Sequence, residues 1–283
     1  EAMDHHIGRL VAHLRKTGQY DNTVFVVASD NGPDPSTPLG SNIMAVWMAT
    51  HGYSISADNL GERGTFAFIG PEWASAAASP GALFKFYTAE GGIHVPLVMA
   101  GPGISAGAPV RAMTLVSDIA PTVFEMAGGT AQATDFDGTS LVPLLAGQAP
   151  TVRPPDQPVG MEVGGNSALF RDGMKLVRNI APYGDGRWRL FDMTDDPGET
   201  RDLREARPQI FAALMRDYRA YAKRVGVLEM PKGYDSTREI QKKTLDRLTA
   251  RYWWVIAVFA VLLLAIVAGL TLVVRRLARR IAR

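Results

Sequence analysis

Residues 252–274 read YWWVIAVFAVLLLAIVAGLTLVV, 23 residues without a single charge. A bilayer core of about 30 Å takes about 20 apolar residues in helical form, and a helix satisfies all its backbone groups internally. Tyr252, Trp253 and Trp254 crowd one end, where amphipathic rings favour the headgroup zone. The other end runs into Arg275, Arg276, Arg279, Arg280 and Arg283. A buried core helix is the competing reading, and both the length and the arginine flank weigh against it. Lys242, Lys243, Arg247 and Arg251 also lie upstream, partly offset by Glu239 and Asp246. The denser arginine cluster is C-terminal, so the positive-inside preference predicts a single-pass span at 252–274 in a cell membrane. It places residues 275–283 as a cytoplasmic basic tail and the body outside the cytoplasm, in the periplasm.

That segment also explains the charge. The chain has 30 Lys and Arg against 28 Asp and Glu, a net of +2. Ten of the basic residues lie from position 238 onward, where only Glu239 and Asp246 oppose them. The tail is therefore strongly basic and residues 1–237 are net acidic. Basic residues beside a membrane span meet anionic lipid headgroups, so nucleic acid is not the expected partner. The absence of cysteine excludes a disulfide framework, a Cys-based zinc site and a cysteine nucleophile within these residues. The chain opens directly on an amphipathic helix with Met3, Ile7, Leu10, Val11 and Leu14 on one face and Gly18 as its stop. Export in this topology requires a signal upstream, so the expectation is the C-terminal portion of a longer chain.

Residues 23–28, TVFVVA, form a continuous apolar run that reads as a strand buried on both faces and ends in Ser29-Asp30-Asn31-Gly32. A second such run, 95–100, follows Glu90-Gly91-Gly92. Residues 33–86 between them are rich in Gly, Pro, Ala and Ser and read as one long loop near a functional site. Residues 117–127 read as a short helix closed by Gly128 and Gly129. Helix, strand, loop, strand and helix predict an α/β sheet delivering polar groups at strand ends. Beyond a Pro-rich connection at 146–158, four short strands are predicted at 160–163, 167–170, 174–178 and 188–191, with Asp172-Gly173 as a hairpin turn. An amphipathic helix is predicted at 207–225.

Asp30 and Asn31 at a strand end offer a carboxylate and an amide oxygen, the donors a hard cation such as Ca²⁺ collects. The competing reading is an ordinary Asn-Gly turn, and two ligands leave a metal site incomplete. Lys85, flanked by Phe84 and Phe86 and followed by Glu90-Gly91-Gly92, is placed to present an ammonium to an oxyanion rather than to serve as a solvated surface charge. His94 reads as a satisfied core histidine, and His5, His6 and His51 as surface or packing residues.

Taken in order, these segments resemble sulfatases of the alkaline-phosphatase-like superfamily, arylsulfatases in particular. The resemblance rests on MDHHIGRL from Met3, TGQYDNT from Thr17, Ser29-Asp30-Asn31-Gly32, RGTF from Arg63 and GPEWA from Gly70. It continues with Lys85 and Glu90-Gly91-Gly92-Ile93, Val95-Pro96-Leu97, DGTSLVPLLAG from Asp137, and Leu190-Phe191-Asp192 with Asp196-Pro197-Gly198-Glu199. It spans roughly residues 1–231. It implies a calcium ion held in part by Asp30 and Asn31, a sulfate contact from Lys85, and a formylglycine nucleophile made from a Cys or Ser in a Cys/Ser-x-Pro-x-Arg motif. That motif and the paired aspartates of the upstream calcium ligands do not occur here, so the resemblance puts both upstream. His94 stands where the family pattern often has Arg.

The implied architecture is α/β: a partial sulfatase sheet-and-helix core at 1–148, a small α+β subdomain at 149–233, a basic linker at 234–251, and the span and tail. The implied function is calcium-assisted hydrolysis of a sulfate ester, with these 283 residues inactive by themselves because the nucleophile lies outside them. A phosphate or phosphonate ester hydrolase and a non-catalytic membrane-tethered binding protein are the alternatives.

Overall fold

The computed structural model describes residues 2–37, 42–107, 109–130, 135–231 and 233–281. They form two compact units, Glu1–Glu229 and Met230–Arg283.

The first unit opens on α1 (Ala2–Lys16), whose acidic first turn and basic last turn complement the helix dipole. Its glycine stop, Gly18, has φ +67°. Strand β1 (Phe25–Ala28) follows. The segment at 33–86, expected as a loop, contains two further helices, α2 (Asn42–Thr50) and α3 (Gly70–Ala78), and a 3₁₀ turn at Ala57–Asn59. Their sequences explain the discrepancy: NIMAVWMAT is apolar nearly all round and GPEWASAAA is mostly small, so neither shows the polar–apolar period of a surface helix. The single turn α4 (Glu90–Ile93) leads into β2 (Leu97–Ala100).

β1 and β2 pair antiparallel, with Phe25 opposite Ala100 and Ala28 opposite Leu97. The expectation of a strand buried on both faces at 23–28 is corrected here, since Val27 and Val98 are 41% and 59% exposed. Among the described residues these two strands bond only to each other, and a two-stranded ladder leaves side chains open on its faces. Valine fits a pleated surface whether or not a second layer covers it.

α5 (Ile119–Met126) and α6 (Val142–Leu145) complete this part. Asp118, fully buried, accepts the Leu115 and Thr139 N–H groups at 2.8 Å each and pairs with Arg153. The DGTSL segment and the Pro-rich connection are thereby tied to the start of α5.

Strands β3 (Val159–Val163), β4 (Asn166–Arg171), β5 (Met174–Arg178) and β6 (Arg189–Asp192) then form an antiparallel meander. The pairs Val163–Asn166 and Arg171–Met174 close two-residue hairpins through Gly164-Gly165 and Asp172-Gly173, all four with positive φ. That is the geometry whose twist matches paired strands. α7 (Pro208–Val225) packs on one face, where Leu169, Leu176, Leu190 and Leu214 are buried together with Tyr218. The other face carries Ala168, Val177 and Phe191, again buried. A sheet covered on one side only would alternate apolar with solvated polar residues; this one is covered on both.

The second unit is α8 (Ser236–Ile281), helical throughout except for a break at Tyr252. Asp235 accepts the Thr237 and Arg238 N–H groups at 2.9 and 3.1 Å and caps its start. Within α8, 19 residues, Ala257–Arg275, are long and apolar enough to cross a membrane.

Candidate active site

Three backbone hydrogen bonds sew the turn after β1 to the segment before β2. Ser29 N–H donates to the Pro96 carbonyl at 3.3 Å, Gly32 N–H to that of Gly92 at 2.9 Å, and Lys85 N–H to that of Pro33 at 3.1 Å. The approach is close enough to require glycine. A Cβ on Gly32 would lie 1.9 Å from the Gly91 carbonyl oxygen, and one on Gly92 would lie 2.2 Å from that of Tyr87. The turn itself is folded by the Ser29 hydroxyl, which donates to the Asn31 carbonyl at 2.9 Å.

Asp30 and Asn31 stand on this turn, and Lys85 stands beside it. Asp30 is exposed, and its carboxyl lies below the usual range, first because the Asn31 side chain hydrogen-bonds it and also because the Lys85 ammonium is near. It is ionised at neutral pH. Lys85 Nζ is 2.9 Å from Asp34 Oδ2, both groups being partly exposed, and lies 5.5 Å from the centre of the Phe86 ring. The fold thus gathers Asp30, Asn31 and Lys85 into one place and adds Asp34. Asp34 occupies the lysine with the kind of charge an incoming oxyanion carries. In the sequence it is only the first acid of a Pro-rich loop.

A calcium ion takes six to eight oxygen ligands. Asp30 and Asn31 offer donors of the right chemistry, hard oxygens with the carboxylate ionised, and they fit as part of such a site. Among the described residues no three His, Cys, Asp or Glu side chains gather to complete one.

The segment carrying Lys85 is strained and deeply held. Leu83 and Phe86, on either side of the lysine, have φ of +56° and +80°, a region that non-glycine residues rarely occupy. Phe84, Tyr87, Thr88, Ala89 and Glu90 are buried. The C-terminal meander supplies their polar partners. Asn166 Nδ2 donates to the Phe86 carbonyl at 2.7 Å, and Asn179 Oδ1 accepts both the N–H and the hydroxyl of Thr88 at 3.1 Å. Lys175, on β5, is fully buried, with Nζ 2.7 Å from Glu90 Oε1 and 2.7 Å from Glu199 Oε1. Glu199 Oε2 also accepts the Glu90 N–H at 3.0 Å. Burial pushes the Glu199 carboxyl up. It works in the same sense on Glu90, but there the His94 hydrogen bond and the Lys175 ammonium outweigh it and leave the group below its ordinary value.

His94 differs from its expected core position. It precedes β2 rather than lying within it, its side chain is 76% exposed, and Nδ1 is 2.9 Å from Glu90 Oε2. That hydrogen bond raises its pKa. His51 closes α2 stacked on Trp47, with ring centroids 4.5 Å apart. A cavity of about 400 Å³ bordered by Arg171, Asp172, Asp192 and Arg207 includes none of Asp30, Asn31 and Lys85 in its lining.

Residues 1–129 match the sulfatase family model. An uncharacterised sulfatase of Schizosaccharomyces pombe is 28% identical over 245 residues, which are 82% of this chain and 43% of that protein. An arylsulfatase of Klebsiella aerogenes is 37% identical over 129 residues, 44% of this chain and 27% of the relative. The chain therefore spans less than half the length of either. Among solved structures, Ps i-CgsB in complex with k-i-k-neocarrahexaose aligns with a TM-score of 0.56 at 23% identity, over 78% of this chain and 41% of its own. BT4656 in complex with its substrate D-glucosamine-2-N,6-O-disulfate aligns with a TM-score of 0.52 at 20% identity, over 78% and 38%. The family match, these relatives and the shared mixed sheet-and-helix fold agree, and the chain is similar to the C-terminal part of sulfatases.

Proposed function

We propose that this chain belongs to a membrane-anchored sulfuric ester hydrolase and supplies part of its active site. The observation that carries the reading is that Lys85 stands beside the turn of Asp30 and Asn31 in a chain similar to sulfatases. Asp30 and Asn31 would hold a calcium ion together with ligands from outside these residues. Bound there, the cation would draw electron density from the sulfate oxygens. Lys85 would leave Asp34 and place its ammonium against a sulfate oxygen, offsetting charge that grows as the ester bond breaks. The backbone bonds between the two segments hold both groups at fixed spacing, so little reorganisation accompanies the reaction.

The nucleophile of this reading is a formylglycine in an upstream segment, and these 283 residues alone are expected to be inactive. Measurable aryl sulfate turnover by them alone would overturn that. In the nucleophile-bearing protein, Lys85→Ala should cut turnover at least a hundredfold and Asp30→Ala should lower calcium retention and activity together. Unchanged calcium content in the Asp30 variant would remove that residue from the site. The sulfated sugar bound to the BT4656 relative makes sulfated glycans the first substrates to try.

Anchoring is supported by the 19-residue apolar stretch of α8, which is long and apolar enough to cross a membrane. The arginine-rich end would sit in the cytoplasm against anionic headgroups, with the body in the periplasm. Protection of the body from protease in spheroplasts would overturn this orientation.

A further inference from the structure

Lys175 lies on β5 between Met174 and Leu176, both facing α7, so its own side chain leaves the opposite face. Its partners across the ladder there are Phe170 and Phe191, and its ammonium lies 5.0 Å from the centre of the Phe170 ring. A cation in so apolar a place is stable only if oppositely charged groups meet it with good geometry. Glu90 does so, accepting a hydrogen bond from Nζ at 2.7 Å, and Glu199 Oε1 adds an ion pair at 2.7 Å that lies outside hydrogen-bonding geometry.

We infer that Lys175 is a positioning residue for the candidate active site, acting with Glu199 through Glu90. The inference rests on reading that site as the ester-hydrolysing one. The route runs through atoms in contact. Lys175 and the Glu199 carboxylate fix the side chain and the N–H of Glu90, the first residue of α4. Gly92, two residues on, accepts the Gly32 N–H and so holds the turn that carries Asp30 and Asn31. Glu90 also closes the strained segment that presents Lys85, which bonds the same turn through Pro33. One buried cation therefore sets the spacing between the oxygen donors and the ammonium, although it touches neither. The ion cluster holds one cation and two carboxylates, and His94, bonded to the outer oxygen of Glu90, adds a second cation when protonated. Strands β4 to β6 and the Asp196–Glu199 turn are, on this inference, part of the catalytic apparatus.

The test is peptide-resolved hydrogen exchange on the detergent-solubilised chain, comparing wild type with Lys175→Met, Lys175→Arg and Glu199→Gln. Glu199→Gln keeps the side-chain volume and an acceptor for the Glu90 N–H, and so is the milder variant beside the buried methionine. Peptides covering 29–34 and 84–92 should exchange at least tenfold faster in Glu199→Gln and Lys175→Met, with α7 peptides within twofold of wild type. Lys175→Arg, which keeps the cation, should recover part of the protection. In the nucleophile-bearing protein, the inhibition constant of inorganic sulfate should rise at least fivefold in Glu199→Gln, a quantity that loss of folded material does not move. Unchanged exchange at 29–34 and 84–92, or a rise shared equally by α7, would overturn the inference. A wild-type protein without sulfate ester turnover would overturn the hydrolase reading alone, because the exchange measurement uses no substrate.

Discussion

A Cβ built on Gly91 would sit 2.1 Å from the Leu83 carbonyl oxygen and 2.6 Å from that of Ala82, whereas one on Gly8 of α1 would meet nothing within 4 Å. The two glycines thus make opposite predictions. Gly91→Ala should destabilise the fold by about 1–3 kcal/mol, the usual range for overpacking, since only backbone can yield there. Gly8→Ala should stabilise it by about 0.5–1 kcal/mol, since it only adds helix propensity. Urea denaturation of both variants checks this, and a neutral Gly91→Ala would mean that Gly91 is not packed against the Ala82 and Leu83 carbonyls. His94 makes a prediction in pH. Its pKa is raised by the bond to Glu90, so the imidazolium adds stability that is fully present below the ordinary histidine value of 6.5 and is lost as pH rises through the higher folded value. The urea midpoint of the wild type should fall across that window, and His94→Gln should flatten the fall. An equal slope in the variant would assign the pH dependence elsewhere. Tyr218 illustrates a different residue-scale effect: burial, chiefly, pushes its hydroxyl up to about 12, so it stays a neutral donor to Glu162 at 2.7 Å.

Among the elements, α7 and the meander form the best-defined core. Leu214 is 1% exposed and packs with Leu169, Leu176 and Leu190, so Leu214→Ala should cost about 2–5 kcal/mol in transfer and cavity terms. Thermal unfolding should register the loss, and a midpoint equal to wild type would contradict the packing. These elements are legible in the sequence, because a 3.6-residue period marks α7 and Asp172-Gly173 suits the positive φ that a two-residue hairpin demands. α2 and α3 were not legible, since an all-apolar helix and an alanine-rich one carry no period. Lys175 was hidden for the opposite reason. Alternation along β5 marks it as a polar residue on the outer face, and nothing local announces that residues 84–92 cover that face.

For the molecule as a whole, the net charge of +2 averages an acidic body with a basic, apolar tail. Removing residues 236–283 should move the protein from the detergent phase to the aqueous phase of a Triton X-114 partition. An intact chain that already partitions into water would rule out an anchor. The local sequence sufficed for the apolar segment of α8, the hairpin turn and the chemical types of the candidate ligands, because each depends on residues adjacent in the chain. It also located Asp30, Asn31 and Lys85 as separate candidates. Only the tertiary structure brought Lys85 beside the turn of Asp30 and Asn31, engaged it with Asp34, and set Lys175 against Glu90 and Glu199. Those contacts join residues from 24 to 85 positions apart in the chain. Burial and charge pairing at such separations depend on which surfaces meet when the chain closes, and that is a property of packing rather than of any local pattern.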